Sequence, residues 1–344
     1  MKGSIVALDT YRGRLAAARI VDGQLDDLLI EPPEQYALPG AIYRAICDRP
    51  LKGQGGMMLR LPDGETAFLR QGKGLSPGQA ILVQVIGFAE AGKAVPVTQK
   101  VLFKSRYAIV TPGAPGLNVS RAIRDEEERE RLLEIAHDVM GEAEEGLILR
   151  SVSVSGSDAD VADDIVAMLD LSRAVLADAE GSSPELLVEG ADAHALAWRE
   201  WDLPDQLDDA EGAFERHGVE DLIDEALGAL VRLPGGAYAF VEATRALVAV
   251  DVNTGPDASP AAGLKANIAL AKVLPRALRV RGLGGQIVVD FAPSPKKERR
   301  QIETALRNAF RADGVETSLA GWTVLGNFEL QRKRERIALK ESLS

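Results

Sequence analysis

The sequence is short of several things, and each shortage excludes something. Its 344 residues include one cysteine, Cys47. That excludes an intramolecular disulfide and any cysteine-based zinc site within the chain, and it fits a reducing compartment. Only three histidines are present, His137, His194 and His217, too scattered for metal-ligand spacing. Aromatic residues make up 5% of the chain, so the cores are expected to be built from Val, Leu, Ile and Ala. No apolar run approaches the length of a membrane span, and the first residues lead into a strand pattern instead of a leader. A cytoplasmic protein is expected. Internal repeats and low-complexity tracts are absent as well.

The chain is long enough for two or three domains. A net charge of −12 argues naively against a polyanionic partner, but the charge is unevenly spread. Residues 265–344 hold 16 Lys/Arg against 8 Asp/Glu, a balance of +8, which leaves −20 on residues 1–264. The C-terminal part can therefore face a polyanion while the acidic remainder keeps the chain dispersed; a solvated basic surface is the plainer alternative.

Periodicity divides the chain. "SIVALDTYRGRLAAARIVDGQLDDLLIE" reads as a β-meander turning at Val-Asp-Gly. Residues 39–101 give five short strands around a Pro-Asp-Gly-Glu turn, the pattern of a small OB-type barrel and a common RNA-binding module. Residues 102–178 alternate strands with two long helices, the first opening on acids that suit the helix dipole. Residues 179–216 are polar and acidic around a short strand. From 217 onward a helix, two strands, a helix expected to be bent or interrupted at Pro275, a strand and another helix follow.

"ALVAVDVNTG" (246–255) and "GGQIVVDF" (284–291) are two buried-strand patterns that each end in an aspartate. Asp251 and Asn253, two apart on a strand, share a face. The intervening helix is a crossover, which makes the two strands parallel and brings Asp251 and Asp290 to one sheet edge. Two carboxylates at such an edge suit a hard cation such as magnesium. The alternative is structural: Asp251 makes an Asx turn over "NTG" and Asp290 caps the next element. Arg150, ending "GLILR", can bind an anion or pair with a nearby acid.

"GGAYAFVEATRALVAVDVNTG", "RVRGLGGQIVVDF" and "LGNFELQRKR" together resemble the catalytic domain of the bacterial ribonuclease E/G family. "SRYAIVTPG", "NVSRAI", "DEEERERL" and "LILRSVSV" resemble its 5′-end sensor region, and residues 39–100 its OB-type barrel. The resemblance implies a multidomain α/β architecture. Residues 1–38 and 179–216 would form a trimmed RNase H-like piece, 39–101 the RNA-binding barrel, 102–178 the 5′-sensor subdomain and 217–344 a DNase I-like catalytic domain. It implies a magnesium-dependent endoribonuclease, with manganese able to substitute, that cleaves single-stranded RNA in RNA decay or rRNA processing and leaves 5′-phosphate products. Asp251 and Asp290 would hold the metal, with Asn253 completing the catalytic set. Arg150 and Ser151 (commonly threonine in the family) would read a 5′-monophosphate with Arg121, while Phe68 would stack a base and Lys93 contact RNA.

Departures accompany the resemblance. Met57 stands where the family has a first barrel aromatic. Arg245 replaces a glutamate six residues before the first catalytic aspartate, and "FAP" (291–293) replaces "FID". The cysteine element through which family members share zinc between subunits has no counterpart, so no structural zinc and a monomer or weak homodimer are expected. The other reading the departures allow is an RNA-binding regulator or scaffold with weak or no cleavage.

Overall fold

The computed structural model describes residues 3–51, 53, 55–90 and 92–343. The chain divides into two compact units, one made of residues 1–33 and 204–344 and the other of residues 34–203.

The chain opens with the meander β1 (Ser4–Tyr11), β2 (Arg14–Val21) and β3 (Gln24–Ile30), paired antiparallel in sequence. At the second hairpin Asp22 and Gly23 both have positive φ, which the right-handed twist of a two-residue hairpin demands. Arg12 and Gly13 do the same at the first hairpin.

The second unit begins with β4 (Ile42–Leu51), β5 (Gly56–Arg60), β6 (Thr66–Leu69), β7 (Ala80–Val85) and β8 (Val95–Thr98). They pair in the order β4-β5-β6-β8-β7, and β7 returns to β4, closing a five-stranded barrel. All pairs are antiparallel except β6 with β8. This arrangement is consistent with an OB-type domain. Its interior is aliphatic, with Leu59, Ala67 and Val83 fully buried.

Next come β9 (Phe103–Lys104), β10 (Ala108–Thr111), β11 (Gly116–Val119), α1 (Glu126–Met140), β12 (Gly146–Leu149) and α2 (Asp158–Ala177). The strands form a sheet in the order β11-β12-β10-β9. Asp125 caps α1 by accepting from the Glu127 N–H, and Ser157 caps α2 by accepting from the Asp160 N–H. Both helices bury aliphatic stripes, Leu132 and Ala136 on α1 and Val161, Ile165 and Leu169 on α2, into one core with the sheet. β13 (Glu185–Val188) adds to the barrel strand β4, and α3 (Ala193–Glu200) ends this unit. β14 (Gln206–Asp208) instead runs parallel beside β1. Residues 179–216 are thus shared between two sheets.

Returning to the first unit, α4 (Ala213–Arg216) and α5 (Val219–Leu227) cover the meander through Phe214, Val219 and Ile223. A six-stranded sheet follows from β15 (Leu230–Arg232), β16 (Tyr238–Ala243), β17 (Val248–Asn253), α6 (Ala262–Val280), β18 (Gly285–Asp290), α7 (Arg299–Ala312), β19 (Thr317–Trp322) and β20 (Phe328–Arg332), before the short α8 (Leu339–Ser342). Its strand order is β15-β16-β17-β18-β20-β19. Helix α6 runs through Pro275 without interruption. Pro275 is buried, and Leu270, Leu274 and Leu278 on either side of it are fully buried against the sheet. Each such leucine contributes about 1.5–3 kcal/mol, enough together to outweigh one missing helical hydrogen bond.

Candidate active site

Strict alternation builds the site. On β17, Val248, Val250 and Val252 point into the core beneath α6, which leaves Ala249, Asp251 and Asn253 on the opposite face. On β18, Ile287 and Val289 are buried and Asp290 is exposed. The helical crossover makes β17 and β18 parallel, and the register sets Asp251 directly beside Asp290. Their Cα atoms are therefore one interstrand spacing apart, about 4.8 Å. Asn253 Nδ2 donates to Asp251 Oδ2 at 2.9 Å, which fixes the rotation of that carboxylate.

Gly255 explains the glycine of "NTG". Its φ is +61°, and a Cβ there would lie 2.1 Å from the Gly236 carbonyl oxygen. Only glycine permits this turn to close against residues 234–236.

Neither Asp251 nor Asp290 forms an ion pair with Lys, Arg or His among the described residues. Two adjacent carboxylates with no protein cation repel each other, and a bound cation removes that repulsion. Their donors are hard oxygens, with no sulfur or imidazole ligand grouped with them among the described residues, which fits magnesium or manganese better than zinc. Among the described residues no group of three or more His, Cys, Asp or Glu could hold a metal, so a cation here takes only two carboxylates from the protein.

A further residue anchors the chain two residues beyond Asp290. Asn267 of α6 is fully buried, and its amide both donates to the Ala292 carbonyl and accepts from the Ala292 N–H, each at 2.9 Å. Gly263 lets α6 approach this segment, since a Cβ there would lie 2.1 Å from the Pro293 carbonyl oxygen. The only trace of Asn267 in the sequence is a polar residue within an otherwise apolar stripe. Arg245 lies in the turn before β17, so at least three strand residues, about 10 Å, separate it from Asp251. The charge change at that position is remote from the carboxylate pair.

The remaining candidates lie in the other unit. Phe68 is half-buried on β6, opposite Met58 and Pro96, with its ring over Gly56, where a Cβ would come within 2.4 Å of it. Met57 is 1% exposed and belongs to the barrel interior, so it offers no surface for stacking. Lys93 is exposed in the loop before β8 and pairs with Glu90 at 2.6 Å. Arg121 is exposed just before α1, and Ser151 is exposed at the start of a short helical turn after β12.

Arg150 is heavily engaged. Its Nη1 reaches the carbonyls of Ser105, Arg106 and Arg199 at 2.7, 3.0 and 2.8 Å, and its Nη2 donates to Glu200 at 2.7 Å. Glu200 also pairs with Lys104 at 2.7 Å and Arg199 at 2.8 Å. Burial pushes the Glu200 carboxyl up, but the three neighbouring cations outweigh it and hold the group below its ordinary range. Burial draws the Lys104 ammonium down. Glu200, the hub of this cluster, carries no motif that would have singled it out.

The fold and site define a two-unit α/β protein with an OB-type barrel and a paired-aspartate, oxygen-donor site at the carboxyl ends of two parallel strands. The chain belongs to the ribonuclease E/G family, whose model matches residues 103–205 and 202–335. It is 26% identical to ribonuclease G of Escherichia coli K12 over 386 aligned positions, covering 95% of this chain and 79% of the relative. It is 29% identical to ribonuclease E of a Nostoc species over 301 positions, covering 76% of this chain and 44% of that relative. Ribonuclease G of Haemophilus influenzae is 26% identical, with 95% and 78% covered. Among the described residues no helix is long and apolar enough to cross a membrane.

Proposed function

We propose that the chain is a magnesium-dependent endoribonuclease of this family, cleaving single-stranded RNA in RNA decay or processing and leaving 5′-phosphate products. The observation that carries the reading is the register pairing of Asp251 with Asp290, two carboxylates that form no ion pair among the described residues. Asp251 and Asp290 would hold the cation, and Asn253 orients Asp251 through the hydrogen bond between them. When bound, a divalent ion neutralises charge on a scissile phosphate and raises the acidity of water. The protein supplies the rest. Asn267 fixes the chain beyond Asp290, the barrel offers a surface for single strands around Phe68 and Lys93, and Arg121 and Ser151 present exposed donors to phosphate.

The test is cleavage of a 5′-monophosphorylated single-stranded oligonucleotide across a magnesium titration, in wild type, Asp251→Asn and Asp290→Asn. Each substitution removes a full ligand charge, so the rate should fall by roughly a hundredfold or more. Oligonucleotide binding in chelator should persist. An unchanged magnesium dependence in either variant would overturn the metal-site reading.

A further inference from the structure

The register of the six-stranded sheet continues beyond the aspartates. Reading straight across the strands, Leu230 of β15 pairs with Phe240 of β16, Phe240 with Asp251, and Asp251 with Asp290. One row of neighbouring side chains on one face therefore runs apolar, aromatic, acid, acid. The next row on that face is Arg232, Tyr238 and Asn253. Two aromatic side chains thus stand immediately beside the carboxylate pair and its asparagine, one strand away.

The alternation of β16 buries Ala239 and Val241 and leaves Phe240 38% exposed. Aromatic residues are scarce in this chain, yet two occur at alternate positions of the strand flanking the site. Their rings pack edge to face, with centroids 5.6 Å apart. They border a hollow of about 410 Å³ lined also by Leu230, Arg232, Leu233 and Gly236. That volume lies within the range of small-ligand sites, and an apolar lining with one guanidinium at its rim suits a flat heteroaromatic group with polar edges.

We infer that Phe240 and Tyr238 form a nucleobase subsite, which takes the base of a nucleotide whose phosphate lies at Asp251 and Asp290. The spacing supports this. Phe240 stands about one and a half interstrand spacings, roughly 7 Å, from the midpoint between the two aspartates. That is the reach of one ribose between a phosphate and its base. Stacking tolerates any base, while the Arg232 guanidinium, 3.7 Å from Glu225, can donate to a carbonyl-bearing edge. The inference rests on the reading of the aspartate pair as the place where an RNA phosphate sits, but its test does not require cleavage.

Wild type and Phe240→Leu, each held in chelator so that no metal-dependent cleavage occurs, are irradiated with a thiouridine-containing single-stranded oligonucleotide. The crosslinked tryptic peptides are then mapped. In parallel, kcat/KM with magnesium is measured for wild type and Phe240→Leu on a normal oligonucleotide and on one with abasic sites flanking the cleaved bond. Leucine keeps an apolar side chain at this exposed position and removes the stacking face. A crosslink on the peptide of residues 233–245 is expected, with a loss of roughly 5- to 150-fold for Phe240→Leu on normal RNA and little difference on abasic RNA. If wild type cleaves, Phe240→Leu cleaves equally well and no crosslink falls on residues 233–245, the subsite is overturned while the nuclease reading stands. If wild type does not cleave but crosslinks there, and Phe240→Leu loses the crosslink, the subsite stands and the nuclease reading fails. Absence of both cleavage and that crosslink overturns the subsite.

Discussion

Asn267 satisfies both backbone polar groups of Ala292, two residues beyond Asp290, from a fully buried position on α6. Asn267→Leu would leave a buried N–H and a buried carbonyl without partners, a cost of about 2–5 kcal/mol. It should also loosen the chain as it leaves β18, so the magnesium concentration for half-maximal cleavage should rise. Thermal melting and magnesium titration on the same variant check this. A lower Tm with an unchanged magnesium midpoint would show that Asn267 serves only the core.

Asp313 ties the sheet to the meander. One of its oxygens meets Arg332 at 2.7 Å and the other meets Arg279, which also pairs with Asp26 of β3 at 3.0 Å. Arg332 and Asp313 are both about 1% exposed in their side chains, and Arg332 Nη2 is buried with no hydrogen-bond partner among the described residues. Asp313→Asn should strand a buried guanidinium at a cost of about 3–5 kcal/mol. Urea denaturation of the variant measures it. A loss below about 1 kcal/mol would mean that the arginine is solvated or repaired by a neighbour.

These two cases show what could be read from the sequence and what could not. Period-two alternation and the crossover rule are local properties, so the strands carrying Asp251 and Asp290, their parallel pairing and their common edge were legible. The five barrel strands were legible for the same reason. Asn267 and Asp313 act through contacts made 25 and 19 residues away, and neither has a local pattern. A proline within a helical pattern predicts a bend or an interruption at Pro275; the helix is not interrupted, because burial of the surrounding leucines carries it through. In "QRKR" the sequence alone does not separate buried from exposed positions. Folding divides it into an exposed Gln331, a buried Arg332 in an ion network and an exposed Lys333. Arg150 could bind an anion or pair with an acid, and only the tertiary fold places Glu200 beside it.

Arg150 gives the next prediction. Its guanidinium closes hydrogen bonds to three carbonyls and Glu200, with 16% of the side chain exposed. Arg150→Ala should therefore lower Tm clearly and reduce cleavage of 5′-monophosphate and 5′-hydroxyl RNA by the same factor. Rates on the two substrates, measured well below the variant's Tm, decide the matter. Selective loss on the 5′-monophosphate substrate alone would show that the guanidinium leaves Glu200 to bind the terminal phosphate.

The last prediction concerns acid stability. Asp208, at the end of β14, accepts two hydrogen bonds from Arg216, at 3.0 and 2.7 Å, and lies 2.9 Å from the His217 ring. The Arg216 guanidinium draws the Asp208 carboxyl from 3.8 down to about 2, assisted by the Ala210 N–H and His217 against a smaller opposing effect of burial. These contacts hold the strand beside β1 to the first turn of the helices that cover the meander. The folded value lies below the unfolded one, so the stabilisation is fully present above about pH 4 and is lost as pH falls through about 2. Asp208→Asn removes the charge at every pH. The Tm difference between wild type and variant should be constant from neutral pH down to about 4 and should shrink between 4 and 2. The other carboxylates of this acidic chain titrate alike in both proteins, so the comparison isolates Asp208. Melting curves that stay equally far apart down to pH 2 would show that the Asp208–Arg216 pair carries none of the acid sensitivity.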